Sequence, residues 1–113
     1  MINYNKTMHN LPLSEKGLER ALRYEAQFLP QPNALCSLLR KAKPTDLLSC
    51  AEVLIEVEYY TKLMIHHQRW YYRLSDTPID DALYDLIERR LNALEQKHPK
   101  LFPKDHPIHG VGY

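Results

Sequence analysis

No proline or glycine interrupts the chain from Thr45 to Thr77, while Pro44 and Pro78 stand immediately outside that run. Those two residue types are the ones that break a helix from within, so the interval between them can hold one long helix. Leu47, Leu48, Ala51, Leu54, Ile55, Tyr59, Leu63 and Ile65 recur at a mostly helical period, with Glu58 and Lys62 as polar exceptions. Pro44 stops whatever precedes, and Thr45 with Asp46 supplies a cap and an acidic first turn. The pattern predicts a helix from roughly Asp46 to Leu74. A rod of this kind cannot bury its apolar face alone, so the rest of the chain must pack against it.

Three shorter helices are available to do so. Ser14 can cap a first helix carrying Leu18, Ala21, Leu22, Glu25, Phe28 and Leu29, which Pro30 and Pro32 end. Asn33 can cap a second, with Leu35, Leu38 and Leu39 inward and Pro44 as its stop. After the turn Ser75–Pro78, Asp80 caps a last helix running to about Lys97. Ala82, Leu83, Leu86, Ile87, Leu91 and Leu94 form its buried face, and Pro99 ends it. Residues 1–11 and the tail from Lys100 read as irregular. No strand pattern, repeat or low-complexity segment occurs. The chain of 113 residues has room for one core and is expected to be a single all-α domain, a small bundle of about four helices.

Charge narrows the function classes. The net charge is +1, with acids and bases interleaved, so the chain carries no electrostatic footprint for nucleic acid. Cys36 and Cys50 lie among leucines, outside any Cys-x-x-Cys spacing, and read as buried free thiols. The start lacks an apolar leader core and no stretch approaches a membrane span, so a cytoplasmic protein is expected.

The residues with chemical potential gather in His66–Asp85, "HHQRWYYRLSDTPIDDALYD". Asp81, Tyr84 and Asp85 are spaced i, i+3, i+4 and share one helical face, although two carboxylates at that spacing repel. One account is purely structural: both acids complement the helix dipole, Asp85 pairs with Arg89, and Tyr84 is core. Trp70, Tyr71 and Tyr72 complicate it. Three consecutive aromatic residues point in different directions around a helix, so at least one ring must be exposed or edge a pocket. A flat ring beside carboxylates suits a planar cation such as the pyridinium of oxidised NAD. An aromatic rim that merely closes the bundle accounts for the same residues.

Other chemistries lack their residues. His66 and His67 have Trp70 and Tyr71 at i+4, where a metal site would need a ligand, so they read as satisfied or surface histidines. There is no Gly-rich phosphate loop, nucleophile elbow or His-Glu-x-x-His. A Lys-x-Asp-Gly motif, whose lysine would form a covalent nucleotide adduct, is also absent. No residue is assigned a catalytic role or a metal.

Residues from about Lys62 to Gly112 resemble the N-terminal domain, domain Ia, of bacterial NAD-dependent DNA ligases. The resemblance rests on "HHQRWYYRLSDTPIDDALYD", "LNALEQKHPKLFPKDHP" and the closing "GVG". The family pattern has a His, a Tyr-Tyr or Tyr-His pair, a turn with Asp and Pro, and Asp-x-x-Tyr-Asp. Leu-Glu-x-x-His-Pro-x-Leu and a closing Val-Gly follow. It implies that the last two helices form a domain Ia-like hairpin over 62–113, and that 1–61 is a helical extension without a recognised counterpart. It also implies binding of the nicotinamide mononucleotide half of NAD through Tyr71, Tyr72, Asp81, Tyr84 and Asp85. Tyr71 and Tyr84 would sandwich the ring while the acids offset its charge. Trp70, Arg69 and Gly110 depart from the family pattern.

Three functions are compatible with these residues. The first is a stand-alone module that binds NAD or nicotinamide mononucleotide and performs no chemistry, and is not a complete ligase. The second is a protein-interaction module that docks on the nucleotidyltransferase domain of a ligase or a similar partner. The third is an NAD-consuming enzyme using Asp81, Asp85 or Glu88 beside an oxocarbenium-like state. A helical scaffold that keeps these residues for folding alone has the same sequence.

Overall fold

The computed structural model describes residues 14–110, which contain four α-helices and no strand. The expectations for residues 1–11 and for Val111 and Gly112 of the closing motif lie outside the described residues. Helix α1 is Glu15–Ala26, α2 is Pro32–Arg40, α3 is Cys50–Leu74 and α4 is Asp81–Lys97. The expected small all-α bundle is what forms, with α3 packed between α1 and α4, and α2 lying on α4.

Local chemistry sets the helix ends. Ser14 caps α1 by accepting from the Gly17 N–H at 3.0 Å, and Asp80 caps α4 by accepting from the Leu83 N–H at 2.8 Å. Two starts differ from expectation. Pro32 opens α2 instead of ending α1, because the first helical position needs no N–H donor, and Gln31 rather than Asn33 is the capping residue. Helix α3 begins at Cys50, not at Asp46. Thr45–Leu47 forms a separate 3-10 turn, and Ser49 with Glu52 makes a reciprocal capping box at 3.2 and 2.9 Å. Lys43 also bonds Glu52 at 2.7 Å, and these partners hold its carboxyl at about 2.

The faces of α3 also depart from the sequence pattern. Val53, Tyr60, Leu63 and Met64 are buried, whereas Leu47, Leu54 and Ile55, expected inward, are more than half exposed. From Leu63 to Trp70 every residue is buried, so this part of α3 is covered on all sides. Helix α1 lies on one side, α4 on another, and the short 3-10 turn Pro107–His109 closes the rest. The tail, expected to be irregular, thereby builds part of the core through Phe102 and His106.

Helix α4 follows its predicted face, with Leu83, Ile87, Leu91 and Leu94 buried and Ala82 exposed. Each such side chain contributes roughly 1.5–3 kcal/mol relative to exposure. Arg90 of α4 grips Glu56 of α3 through two bonds, 2.6 and 2.9 Å. In α1 only Leu22 is buried, and Phe28, expected in the apolar stripe, is 70% exposed beyond the helix end. Both cysteines are free thiols, but Cys36 is half-buried and Cys50 exposed, not buried as their leucine neighbours suggest. Among the described residues no helix is long and apolar enough to cross a membrane.

Candidate functional site

The corner between α3 and α4 holds the candidate site. Ser75 ends α3 in the left-handed conformation, φ 53° and ψ 38°, and the Asp76 N–H turns back to the Trp70 carbonyl at 3.1 Å. The chain then reverses through Thr77 and Pro78, and Asp80 starts α4. This brings the end of α3 beside the first turns of α4.

Between them lies a cavity of about 230 Å³. His67, Gln68, Tyr71 and Tyr72 line it from α3, Thr77, Pro78 and Ile79 from the turn, and Asp81 and Tyr84 from α4. Complete ligand pockets span about 300–1,000 Å³, so this volume suits a ring with a small substituent more than a whole dinucleotide. Four of the five residues singled out from the sequence, Tyr71, Tyr72, Asp81 and Tyr84, therefore share one cavity. Asp85 does not line it. Its carboxylate pairs with Arg89 at 2.8 Å, and it edges a shallow neighbouring depression with Asp81, Ala82, Tyr84 and Glu88.

Trp70 is 5% exposed with the Arg23 guanidinium 5.4 Å from its ring centre, while Tyr71 and Tyr72 are 57% and 56% exposed. Of the three consecutive aromatic residues, one enters the core and two stand at the cavity. The Tyr71 and Tyr72 rings meet edge-on, centres 4.9 Å apart. Such a pair presents both a face and an edge to anything beside it. Burial raises the Tyr84 phenol, against a hydrogen bond from Gln68 that lowers it, so the hydroxyl remains protonated at neutral pH.

Gln68, which the sequence reading passed over, and His67, read there as a satisfied or surface histidine, both belong to the cavity, and His67 is buried. A signal was available, since they precede Tyr71 and Tyr72 by one helical turn and so share their face. Gln68 donates to the Tyr84 hydroxyl at 3.0 Å and to the Pro107 carbonyl at 3.2 Å. Its Oε1 and the His67 Nδ1 are buried without a partner among the described residues. Burial, aided by His66, holds the His67 imidazole at about 4, hence neutral at pH 7. His66 is a satisfied histidine, 2.6 Å from the Glu25 carboxylate. Among the described residues no group of three or more His, Cys, Asp and Glu side chains could hold a metal.

Similarity to known proteins coincides with this corner. The family model for the DNA ligase-like, N-terminal NAD+-binding domain matches residues 51–112, beginning at the start of α3 and taking in the whole cavity. The DNA ligase of Solibacter usitatus is 41% identical over 58 residues, 51% of this chain and 9% of that protein. The Dehalococcoides mccartyi DNA ligase is 42% identical over 59 residues, and that of Rhizobium etli 37% over 67. The chain spans about 9% of the length of each of these ligases. No solved structure matches it. With more than half of its residues under the family model, the chain belongs to the family of DNA ligase-like, N-terminal NAD+-binding domains.

Proposed function

We propose that this protein is a binding module for the nicotinamide mononucleotide half of NAD, with the ring in the cavity between α3 and α4. The observation that carries the reading is the convergence of Tyr71, Tyr72, Asp81 and Tyr84 on a single cavity of ring size. Aromatic faces attract a pyridinium and desolvate it, and the Asp81 carboxylate offsets its charge. Asp85 acts at the rim, in the acidic depression that adjoins the cavity, where the ribose side of the ligand would emerge. The chain has no Lys-x-Asp-Gly lysine, so the function is binding and not nucleotidyl transfer by these residues. Titration with nicotinamide mononucleotide and with AMP tests this: the first should bind and the second should not, and Tyr84→Ala should abolish binding.

A second reading is favoured by the exposure of Tyr71 and Tyr72. Both rings stand more than half in solvent, so the cavity is open to solvent on their side. A partner surface that closes over them, such as the nucleotidyltransferase domain of a ligase, would complete it. Protein binding and ligand binding then become one function. In a pull-down with a ligase nucleotidyltransferase domain, recovery should rise when nicotinamide mononucleotide is present, and Tyr71→Ala with Tyr72→Ala should remove that rise.

A further inference from the structure

We infer that His109 is a positioning residue of the nicotinamide site. As an imidazolium it clamps the Pro107–His109 turn to α4, and that turn holds Gln68 and Tyr84 at the cavity, so ligand affinity falls when the ring loses its proton. This inference rests on the nicotinamide reading above and adds to it a pH response set outside the cavity.

Hydrogen-bond partners assign the charge of the ring. His109 Nε2 meets the Glu95 carboxylate of α4, and its Nδ1 lies 3.3 Å from the Lys104 carbonyl. Both partners are acceptors, so both ring nitrogens donate, and a ring that donates twice carries two protons and a positive charge. Its neighbour is in the opposite state. His106, with its ring centre 6.2 Å away, accepts from the Ile108 N–H at Nδ1. Its one proton therefore sits on Nε2, 2.7 Å from the Thr61 hydroxyl of α3. Glu95 first and the Lys104 carbonyl second keep His109 protonated above the ordinary 6.5. Burial, with the His109 charge next, holds His106 at about 4. The charged group facing His109 from α4 is Glu95, and the tail contributes Lys104 and Asp105 a few residues before it. Helix α3 meets the turn through Thr61 and Gln68, neither of which titrates.

A short chain of bonds carries the state of this ring to the cavity. His109 ends the turn whose Pro107 carbonyl accepts from Gln68 at 3.2 Å. The same amide donates to the Tyr84 hydroxyl at 3.0 Å, and Tyr84 lines the cavity. The turn is thus tied to α3 by His106 and to α4 by His109. Loss of the His109 proton removes one of its two bonds and its attraction to Glu95, while His106 still holds the other side. The fold survives, and the Tyr84 wall loosens. A less preorganised wall binds more weakly. Because the His109–Glu95 pair is partly exposed, the effect is modest. The pair is complete below pH 6.5 and is lost as pH rises through the raised value, so affinity declines toward alkaline pH. Across that range His67 stays neutral and Tyr84 stays protonated, so neither cavity group imitates the effect.

The experiment titrates nicotinamide mononucleotide calorimetrically at pH 6, 7, 8 and 9 into the wild type, His109→Gln and His109→Arg. The ligand phosphate also ionises near pH 6, equally for all three proteins, so affinities are compared as ratios at each pH. The wild type should bind about threefold tighter than His109→Gln at pH 6 and no tighter at pH 9. His109→Arg, permanently charged and with donors for both partners, should keep the tighter binding throughout. In the free wild type, the Tyr84 ring signals in NMR should shift with pH at the His109 midpoint, and this shift should vanish in His109→Gln. By reciprocity, saturating ligand should raise the His109 midpoint by about 0.5 in pH. A constant ratio of wild type to His109→Gln from pH 6 to 9 would overturn the inference and leave the nicotinamide site intact. Tyr84 signals that ignore the His109 midpoint would do the same. Absence of binding by all three proteins would overturn the nicotinamide reading, and the claim about affinity with it.

Discussion

Gln68 donates to the hydroxyl of Tyr84 at 3.0 Å, and through this bond the covered end of α3 holds the first turns of α4. The same amide reaches the Pro107 carbonyl at 3.2 Å, so one side chain joins two helices and the C-terminal turn. Gln68→Met should cost about 1–3 kcal/mol of folding free energy, because the substitution leaves a buried carbonyl and hydroxyl without their donor. Urea denaturation measures it. A loss under about 0.5 kcal/mol would show that the turn is held by packing instead.

Glu56 and Arg90 form the second tie between α3 and α4, with two bonds and little exposure of either side chain. Removing one partner of such a pair strands the other charge. Glu56→Gln should destabilise by about 2–3 kcal/mol, below the roughly 3–5 kcal/mol of a fully buried pair because this one keeps some solvent contact. The exposed Arg89–Asp85 pair should differ: Arg89→Ala should change stability by less than about 1 kcal/mol. Thermal denaturation of the two variants side by side makes the comparison.

Acid should unfold this protein earlier than its net charge suggests. Burial holds both His67 and His106 near 4, against 6.5 for the free imidazole. His106 is packed as a neutral ring, with Nδ1 accepting from the Ile108 N–H at 3.1 Å and Nε2 at 2.7 Å from the Thr61 hydroxyl. Between pH 6.5 and about 4 the unfolded chain therefore binds more protons than the folded one, and stability falls as pH falls through that window. Each histidine should contribute on the order of 2–3 kcal/mol to that fall. Glu25 adds to it at lower pH, since its carboxyl is lowered by His66 despite the opposing effect of burial. Denaturation midpoints across pH 4–7 should slope upward with pH, and a His67→Leu, His106→Leu double variant should show a flatter line.

Ser75 is the one described non-glycine residue in the left-handed region, at φ 53°. A side chain there carries a steric cost of about 1–2 kcal/mol that glycine avoids. Glycine in turn costs about 0.4–1 kcal/mol more unfolded-chain entropy, so Ser75→Gly should stabilise by a few tenths to about 1 kcal/mol. A raised thermal midpoint with unchanged ligand affinity is the expected outcome.

Much of this architecture was legible because local chemistry announces it. Ser14 and Asp80 set helix starts through bonds to residues three positions away, and Ser75 ends α3 through bonds four and five residues back. What was not legible depended on competition or distance. The start of α3 moved from Asp46 to Cys50 because the Ser49–Glu52 box satisfies more donors than Thr45 and Asp46 can. Its inward face was misread because Val53, Leu54, Ile55 and Val57 surround the helix, and periodicity cannot choose between adjacent apolar stripes. The choice is made by α4, through Leu91 and Leu94. At the site, the three aromatic residues and Asp81 stood out by residue type. Gln68 did not, because its partners, Tyr84 and Pro107, lie 16 and 39 residues away.

The central claim is that the cavity between α3 and α4 receives the nicotinamide ring. The most direct measurement is a titration of the wild type and Tyr84→Ala with nicotinamide mononucleotide, read through aromatic ring shifts in NMR. Selective, saturable shifts of the Tyr71, Tyr72 and Tyr84 signals, lost in the variant and not produced by AMP, are the predicted result. Unchanged tyrosine signals at millimolar nicotinamide mononucleotide, or equal shifts with AMP, would contradict it.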